Sequence, residues 1–375
     1  MDRLQILDAG LRALDASLPG VTPPLCLATR YRASSCRRCL DVCSTDAIEP
    51  APWLRLVPER CSSCGACAAV CPTGALAFAA LSAAVRERLR AIADAGHDQA
   101  VLACRFAEVD EPGAEASEAE RPDAGRDARS DGTTGRSDDA RVVVACLGAL
   151  SAAELIGAAA AGLDGLTLVS AGCEVCRDRA AGSAADGAVD TAVAAVAALG
   201  GRLGVRRRSA PRTVADGDGP GVPAGPALSR RDLFTYLARG ARRTAAEGLA
   251  SSRHTIGDLH AQAPPPARQG LLRADLAALA TRDGAGCAAQ VPSGPATLPA
   301  ALPLADLEIG PGCTGCDLCV RYCPHGALAP TGAAPRCDGS LCTGCGLCVE
   351  VCPPSVLALR PATAKSLPAT ASGVP

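Results

Sequence analysis

Short apolar runs in the middle of the chain predict the strands of a sheet. Three such runs, rich in β-branched residues, cover residues 99–104, 142–147 and 166–170. Apolar runs of this length are typical of buried parallel strands. We therefore expect a parallel sheet in this part of the chain.

Helical patterns occupy the stretches between and after these runs. Ser151 and Glu154 form a capping box at the start of an Ala-rich helix that we expect to end near Gly162. A second helical pattern covers residues 177–200 and ends at two glycines. The order strand, strand, helix, strand, helix predicts a small α/β domain with right-handed crossovers over residues 98–204.

Polar and Pro/Gly-rich stretches surround this domain. Residues 108–141 are rich in Asp, Glu, Gly, Ser and Arg without apolar periodicity, which predicts a disordered insertion. Residues 205–305 are predicted to be a long flexible linker that contains an amphipathic helix over residues 229–250. We expect residues 1–25 to form a helical lead segment and residues 363–375 a disordered tail.

The amino-acid composition shows that the large aromatic residues that usually fill a protein core are scarce. Aromatic residues make up 2% of the chain, whereas cysteine occurs 22 times. Metal clusters can take the place of large side chains at the centre of a small domain. Free cysteines in this number favour a reducing compartment, and the sequence opens with no signal peptide, so we expect a cytoplasmic protein.

Charge and hydropathy argue against two kinds of partner. A formal net charge of −2, with no aromatic residues among the Arg runs, does not favour nucleic acid. No run of 18 or more apolar residues is present, so no membrane span is expected. The expected partners are other proteins.

Two cysteine runs near the C-terminus share the spacing C-x2-C-x2-C-x3-C-P, which is typical of [4Fe-4S] cubane clusters. The runs are Cys313, Cys316, Cys319, Cys323-Pro324 and Cys342, Cys345, Cys348, Cys352-Pro353. Three thiolates of a run close round one face of a cubane, and the fourth ligand comes from the other run. We therefore assign one cluster to Cys313, Cys316, Cys319 and Cys352, and a second to Cys342, Cys345, Cys348 and Cys323.

Zinc and disulfides are the alternatives for these cysteines. Zinc usually takes two C-x2-C pairs separated by a longer loop, and disulfide frameworks are typical of short secreted domains. Two complete four-cysteine runs, each ending in a Cys-Pro step, favour iron–sulfur clusters. On these motifs residues 306–362 resemble the bacterial two-cluster ferredoxin, which implies a ferredoxin-like module that transfers electrons.

A similar but incomplete pattern lies in residues 26–85. One four-cysteine run in this region is complete and ends in a Cys-Pro step. The run before it has only three cysteines, because Ala33 occupies its first position, and Cys26 is the candidate for the missing ligand. The interlocking rule assigns one cluster to Cys61, Cys64, Cys67 and Cys43, and a degenerate one to Cys36, Cys39, Cys71 and Cys26. The degenerate set could hold a three-iron centre or no cluster, and Cys26 could be a small buried hydrophobic residue. The whole chain is thus predicted to be α+β and multidomain, with two ferredoxin-like modules flanking the small α/β domain.

Four further cysteines follow the predicted strands of the α/β domain: Cys104, Cys146, Cys173 and Cys176. The carboxyl ends of parallel strands lie at one edge of a sheet, where open α/β sheets form their sites. Four thiols at this edge could hold a two-iron cluster or a zinc ion. Buried structural thiols and a redox-active dithiol are the alternatives.

The same stretch carries a second resemblance. Cys146, Gly148, a helix, a Gly-x-Asp-Gly turn at residues 162–165 and the pair Cys173 and Cys176 follow one another in this order. In this respect the domain resembles the small iron–sulfur subunit that links viologen-reducing hydrogenase to heterodisulfide reductase. The resemblance implies a cluster in the middle domain and partner subunits of a larger complex.

The predicted clusters indicate electron transfer rather than bond chemistry, because cubanes with four cysteine ligands have no open coordination position. We expect a non-catalytic relay subunit of an anaerobic oxidoreductase of hydrogenase, formate dehydrogenase or heterodisulfide reductase type, with redox proteins as partners. One alternative is an enzyme that uses Cys173 and Cys176 or a flavin, and another is an iron–sulfur scaffold or redox sensor. No dinucleotide- or nucleotide-binding loop is recognisable.

Three residues near these motifs are not assigned to a cluster. Cys287 and Cys337 fall outside every run, and Cys337 is interpreted as a pocket residue near a cluster. His325 could donate a hydrogen bond to a cluster sulfur, but an exposed loop histidine is the preferred interpretation.

Overall fold

The computed structural model describes residues 18–50, 52–107, 140–211, 262–281 and 296–367. Residues 18–78 form the N-terminal module, residues 79–211 contribute the middle domain, and residues 296–367 form the C-terminal module. Cys287 and the predicted helix over residues 229–250 lie outside the described residues.

Short strands and one-turn helices form the N-terminal module. In chain order they are β1 (Gly20–Val21), α1 (Leu27–Arg30), α2 (Arg38–Asp41), β2 (Ile48–Glu49), β3 (Arg55–Leu56), α3 (Ala66–Val70) and β4 (Leu76–Ala77). Strand β1 pairs with β4 and β2 with β3, both antiparallel. The expected helical lead segment over residues 1–25 is wrong for its described part, because β1 joins the module and Leu25 is buried in its core.

The middle domain is a parallel sheet with helices. Its elements are α4 (Ala79–Asp94), β5 (Gln99–Cys104), β6 (Arg141–Val144), α5 (Ala152–Ala161), β7 (Gly165–Ser170), α6 (Arg179–Ala198) and β8 (Gly204–Ser209). The strands lie in the order β6-β5-β7-β8, and all neighbours are parallel. The prediction of a small α/β domain with a parallel sheet is confirmed.

The predicted capping box is also confirmed. The Ser151 backbone N–H donates to Glu154 Oε2 at 2.8 Å, and the Ser151 hydroxyl accepts from the Ala153 N–H. The helix ends at Gly162, whose φ of 114° lies in the left-handed region that glycine adopts without strain. Local sequence therefore sets both ends of α5.

The edge strand β8 was not predicted, because the linker was expected to begin at residue 205. Its sequence carries three consecutive arginines, and most of its side chains are exposed. An edge strand whose side chains face solvent has no apolar pattern to reveal it. Its backbone nevertheless pairs with β7 from Gly204 to Ser209.

A buried helix occupies part of the predicted linker. Helix α7 (Ala267–Thr281) packs on α5 and places Leu272, Leu276 and Leu279 in the core of the middle domain. The linker prediction is wrong here, because leucines at helical spacing give this segment an apolar face that the fold covers. Residues 296–304 are packed as well, with Leu298 buried.

Two antiparallel strand pairs form the C-terminal module. The elements are β9 (Ala305–Ile309), α8 (Leu318–Tyr322), β10 (Leu328–Ala329), β11 (Arg336–Cys337), α9 (Leu347–Glu350) and β12 (Leu357–Pro361). Strand β9 pairs with β12 and β10 with β11. The predicted disordered tail is wrong for residues 363–367, where a turn at Ala364–Ser366 is followed by the buried Leu367. Among the described helices, none combines the length and apolar character needed to cross a membrane.

Helix α7 connects all three units through polar side chains. Arg268 donates to the carbonyls of Ala68, at 2.5 Å, and of Cys71 in the N-terminal module. Arg273 Nη2 donates to the Cys342 carbonyl of the C-terminal module at 2.7 Å. Asp275 pairs with Arg86 of α4, and both side chains are about 10% exposed. The segment predicted to be a linker is therefore the element that ties the units together.

We expect Asp275→Ala to destabilise the protein by about 3 kcal/mol, because the buried Arg86 guanidinium then lacks its carboxylate. The matched control is Glu308→Ala, since Glu308 pairs with Arg360 on the surface and such pairs contribute roughly 1 kcal/mol or less. Urea unfolding of anaerobically prepared protein measures both losses. Equal, small losses would contradict an anchoring role for the buried pair.

Candidate functional site

The cysteine runs share one local fold. A loop carries the first two cysteines of each full run, and a short helix carries the third: Cys67 on α3, Cys319 on α8 and Cys348 on α9. Left-handed residues bend these loops, among them Gly65 at φ 80° and Gly344 at φ 60°. Such bends turn successive thiols toward a common centre. The regular cysteine spacing of the runs requires this convergence if the thiols are to bind one cluster.

The C-terminal module brings both predicted ligand sets together. A cavity of about 400 Å³ is lined by Cys323, Cys342, Cys345 and Cys348. A second cavity of about 320 Å³ is lined by Cys313, Cys316, Cys319 and Cys352. In each set the fourth cysteine comes from the other run, as the interlocking rule requires.

In the N-terminal module, the cysteines of each of the two predicted sets also lie close to one another. Burial first, and then the nearby thiols of Cys71, Cys26 and Cys36, raise the pKa of Cys39 to about 12. The pKa of Cys67 is raised by burial first and then by Cys64, Cys61, Cys39 and Cys43. Cys26 packs in the module core beside these cysteines. Cys26 thus lies near the other three cysteines of the degenerate set, and its role as a ligand stays a prediction.

Backbone N–H groups point at several of these sulfurs. Ala327 N–H donates to Cys323 Sγ at 3.3 Å, and Ala47 and Ser63 N–H donate to Cys43 and Cys61 Sγ, each at 3.4 Å. Hydrogen bonds to sulfur favour the thiolate form. Burial opposes that form and raises the pKa of Cys345 to about 12. Thiolates in these sets therefore need a neighbouring cation, and four sulfur donor atoms fit an iron–sulfur cluster.

The middle domain gathers its four cysteines at the carboxyl edge of the sheet. Cys104 ends β5, Cys146 follows β6, and Cys173 and Cys176 follow β7 around a cleft of about 440 Å³. Gly148 N–H donates to Cys146 Sγ at 3.4 Å, and burial raises the pKa of Cys146 to about 12. Among the described residues, no group of three or more His, Cys, Asp or Glu side chains has the arrangement of a site for a single metal ion.

His325 differs from its preferred sequence interpretation as an exposed loop residue. The side chain is buried, and Nδ1 donates to the Ala263 carbonyl at 2.9 Å. Burial lowers the pKa of His325 and so favours the neutral ring, which has one N–H. That N–H is directed to the backbone at Ala263, so the neutral ring has none left for a cluster sulfur.

Sequence reasoning missed the arginines that contact the cysteine loops. Arg268 and Arg273 donate to carbonyls of Cys71 and Cys342, and Arg30 Nη2 donates to the Cys323 carbonyl at 3.3 Å. No local signal could have revealed these contacts, because Arg30 and Cys323 are 293 positions apart. In each terminal module, the backbone carbonyl of a cysteine is thus held by an arginine that lies outside the module.

No curated protein and no solved structure matches the chain. The resemblance of the middle domain to a hydrogenase-linked iron–sulfur subunit therefore stays a prediction. The model of the 4Fe-4S dicluster domain family matches residues 34–75 and 312–356, which hold the cysteine runs of both terminal modules but not Cys26. The chain therefore contains a 4Fe-4S dicluster domain near each end, and these two domains support a role in iron–sulfur electron transfer.

Proposed function

We propose that this chain is an electron relay in which five thiol sets lie in one continuous row. The order is Cys313, Cys316, Cys319, Cys352; then Cys323, Cys342, Cys345, Cys348; then Cys26, Cys36, Cys39, Cys71; then Cys43, Cys61, Cys64, Cys67; and finally Cys104, Cys146, Cys173, Cys176. The observation that carries the proposal is the direct contact between the three units at two joints, each of which lies beside thiol sets.

The first joint lies between the two terminal modules. Leu27 of α1 is buried in one hydrophobic cluster with residues of the C-terminal module, among them Leu347. Arg30 Nη1 donates to the Pro24 carbonyl at 2.8 Å, and Nε donates to the Tyr322 carbonyl at 3.0 Å. Because Arg30 lies between the Cys26 segment and Cys323, this joint supports adjacency of the second and third sets.

The second joint lies between the N-terminal module and the middle domain. The Cys146 thiol is close enough to Cys64 for their charges to interact. Ala180 N–H donates to Ser44 Oγ at 3.2 Å, next to Cys43. These contacts support adjacency of the fourth and fifth sets.

The two ends of the row reach the surface. Cys316 in the first set is exposed, and Val175, between Cys173 and Cys176 in the fifth set, is 72% exposed. Clusters held by four cysteines carry single electrons without open coordination positions. We propose that redox proteins dock at the two ends, and that the chain serves as a cytoplasmic subunit of a larger anaerobic oxidoreductase.

Anaerobic iron and sulfide analysis should give about sixteen irons per chain in four cubanes, and about two more for a two-iron centre in the middle domain. Low-temperature EPR of the dithionite-reduced protein identifies the cluster types. A colourless or zinc-loaded protein would refute the proposal. About eight irons would mean that one terminal module holds no cluster, and bound flavin in the visible spectrum would point to the enzymatic alternative.

Cys146→Ala combined with Cys173→Ala should remove the middle-domain centre and leave the cubane iron unchanged, because the four cubane sets lie in other modules. Iron content is expected to fall by about two per chain. Val175→Ala is the matched control, since it changes the same loop without removing a thiol. An unchanged iron content in the double variant would contradict a cluster at this sheet edge.

Arg30→Met should loosen the joint between the terminal modules, because the carbonyls of Arg321, Tyr322 and Cys323 lose a charged donor. The expected cost is about 2 kcal/mol of docking free energy. Magnetic interaction between the clusters, read from line broadening in the EPR spectrum of fully reduced protein, should weaken. Arg321→Met is the control, since that side chain is exposed beside the same joint. Equal broadening in Arg30→Met and wild type would argue against adjacent sets at this joint.

A further inference from the structure

Five thiols line the cavity of the second set. Besides Cys323, Cys342, Cys345 and Cys348, the cavity wall includes Cys337. A cubane takes four cysteine ligands, so one thiol at this site is in excess. Among the described residues, the cavity of the first set is lined by the four cysteines of that set and by no fifth thiol.

Cys337 lies on a short strand that has an equivalent in the N-terminal module. Arg336–Cys337 pairs with Leu328–Ala329, as Arg55–Leu56 pairs with Ile48–Glu49. Cys337 precedes Cys342 by five residues, and Leu56 precedes Cys61 by five residues. An aliphatic side chain therefore suffices for packing at this position, and in the C-terminal module the position carries a thiol instead.

Cys337 and Cys342 both line this cavity, and their thiols lie close enough to interact. The backbone on both sides of this pair is held independently of either thiol. Asp338 N–H donates to the Ala327 carbonyl at 2.7 Å, and Arg273 donates to the Cys342 carbonyl at 2.7 Å. The two thiols thus line one cavity on backbone segments that are held by contacts of their own.

We propose that Cys337 is a reserve ligand that can replace Cys342 at the second set. This inference rests on the proposed function, because it requires a cluster at that set. In the exchange, the bond between iron and Cys342 Sγ breaks and a bond between the same iron and Cys337 Sγ forms. The proton of the Cys337 thiol passes to the released Cys342 thiolate, so no electron is gained or lost. Cys342 is the thiol with which Cys337 interacts most strongly, ahead of Cys348 and Cys323.

The test compares single and double variants by anaerobic iron and sulfide analysis and low-temperature EPR. Cys342→Ala should keep the iron content of the wild type, because Cys337 supplies the fourth thiolate. Cys337→Leu, which copies the residue at position 56, should also keep it. The double variant with Cys337→Leu and Cys342→Ala should lose about four irons per chain. Cys345→Ala is the matched control that removes one ligand from the same set, and it should lose the cluster although Cys337 is present.

Three results would overturn the inference. The first is loss of the cluster, or its conversion to a three-iron centre, in Cys342→Ala to the same extent as in the double variant. The second is full iron content in the double variant, and the third is equal retention in Cys345→Ala and Cys342→Ala. A wild-type protein without iron would instead refute the proposed function, so the two failures are distinguishable.

Discussion

Close groups of buried thiols are the constraint on which the rest of this structure depends. Burial, reinforced by neighbouring thiols, raises the pKa of Cys39 and Cys345 to about 12. Four thiolates at such a site repel one another in a poorly hydrated space, so they form together only around a cation. Iron would supply that charge, and it would also give each module a centre that its few large side chains cannot provide. Folding and cluster assembly are then one process, as in other small metal-dependent domains.

Arginines link the units to these sites through the backbone. Arg30, Arg268 and Arg273 each donate to the carbonyl of a cysteine in a predicted ligand set. A guanidinium is charged at every accessible pH and presents several donors in a fixed plane, so it suits adjacent carbonyls at a helix end or a loop. Docking of the units therefore depends on the shape of the cysteine loops. A loop that is not properly folded offers its carbonyls in the wrong place, which couples docking of the units to the folding of each cysteine loop.

The terminal modules depart from their common pattern in opposite ways. The N-terminal module has Ala33 where a ligand is expected, and Cys26 lies beside the incomplete set. Its Ser44 stands where the full runs have proline, and the hydroxyl accepts a hydrogen bond from α6 of the middle domain. The C-terminal module has an additional thiol at Cys337. The N-terminal module thus has a thiol beside its incomplete set and a serine that contacts the neighbouring domain, whereas one cavity of the C-terminal module is lined by one thiol more than a cubane takes.

The sequence by itself determined the elements whose causes are local. Cysteine spacing indicated which thiols share a site, apolar runs predicted three strands of the parallel sheet, and Ser151 with Glu154 marked the start of α5. Only the tertiary structure decided that residues 267–281 form a buried helix, that β8 completes the sheet, and that the terminal modules touch. An exposed edge strand has no apolar pattern of its own, the apolar face of α7 does not reveal which surface covers it, and Arg30 contacts a carbonyl 292 positions away. Such contacts depend on how surfaces fit after the elements have formed, and the local pattern of residues does not contain that information.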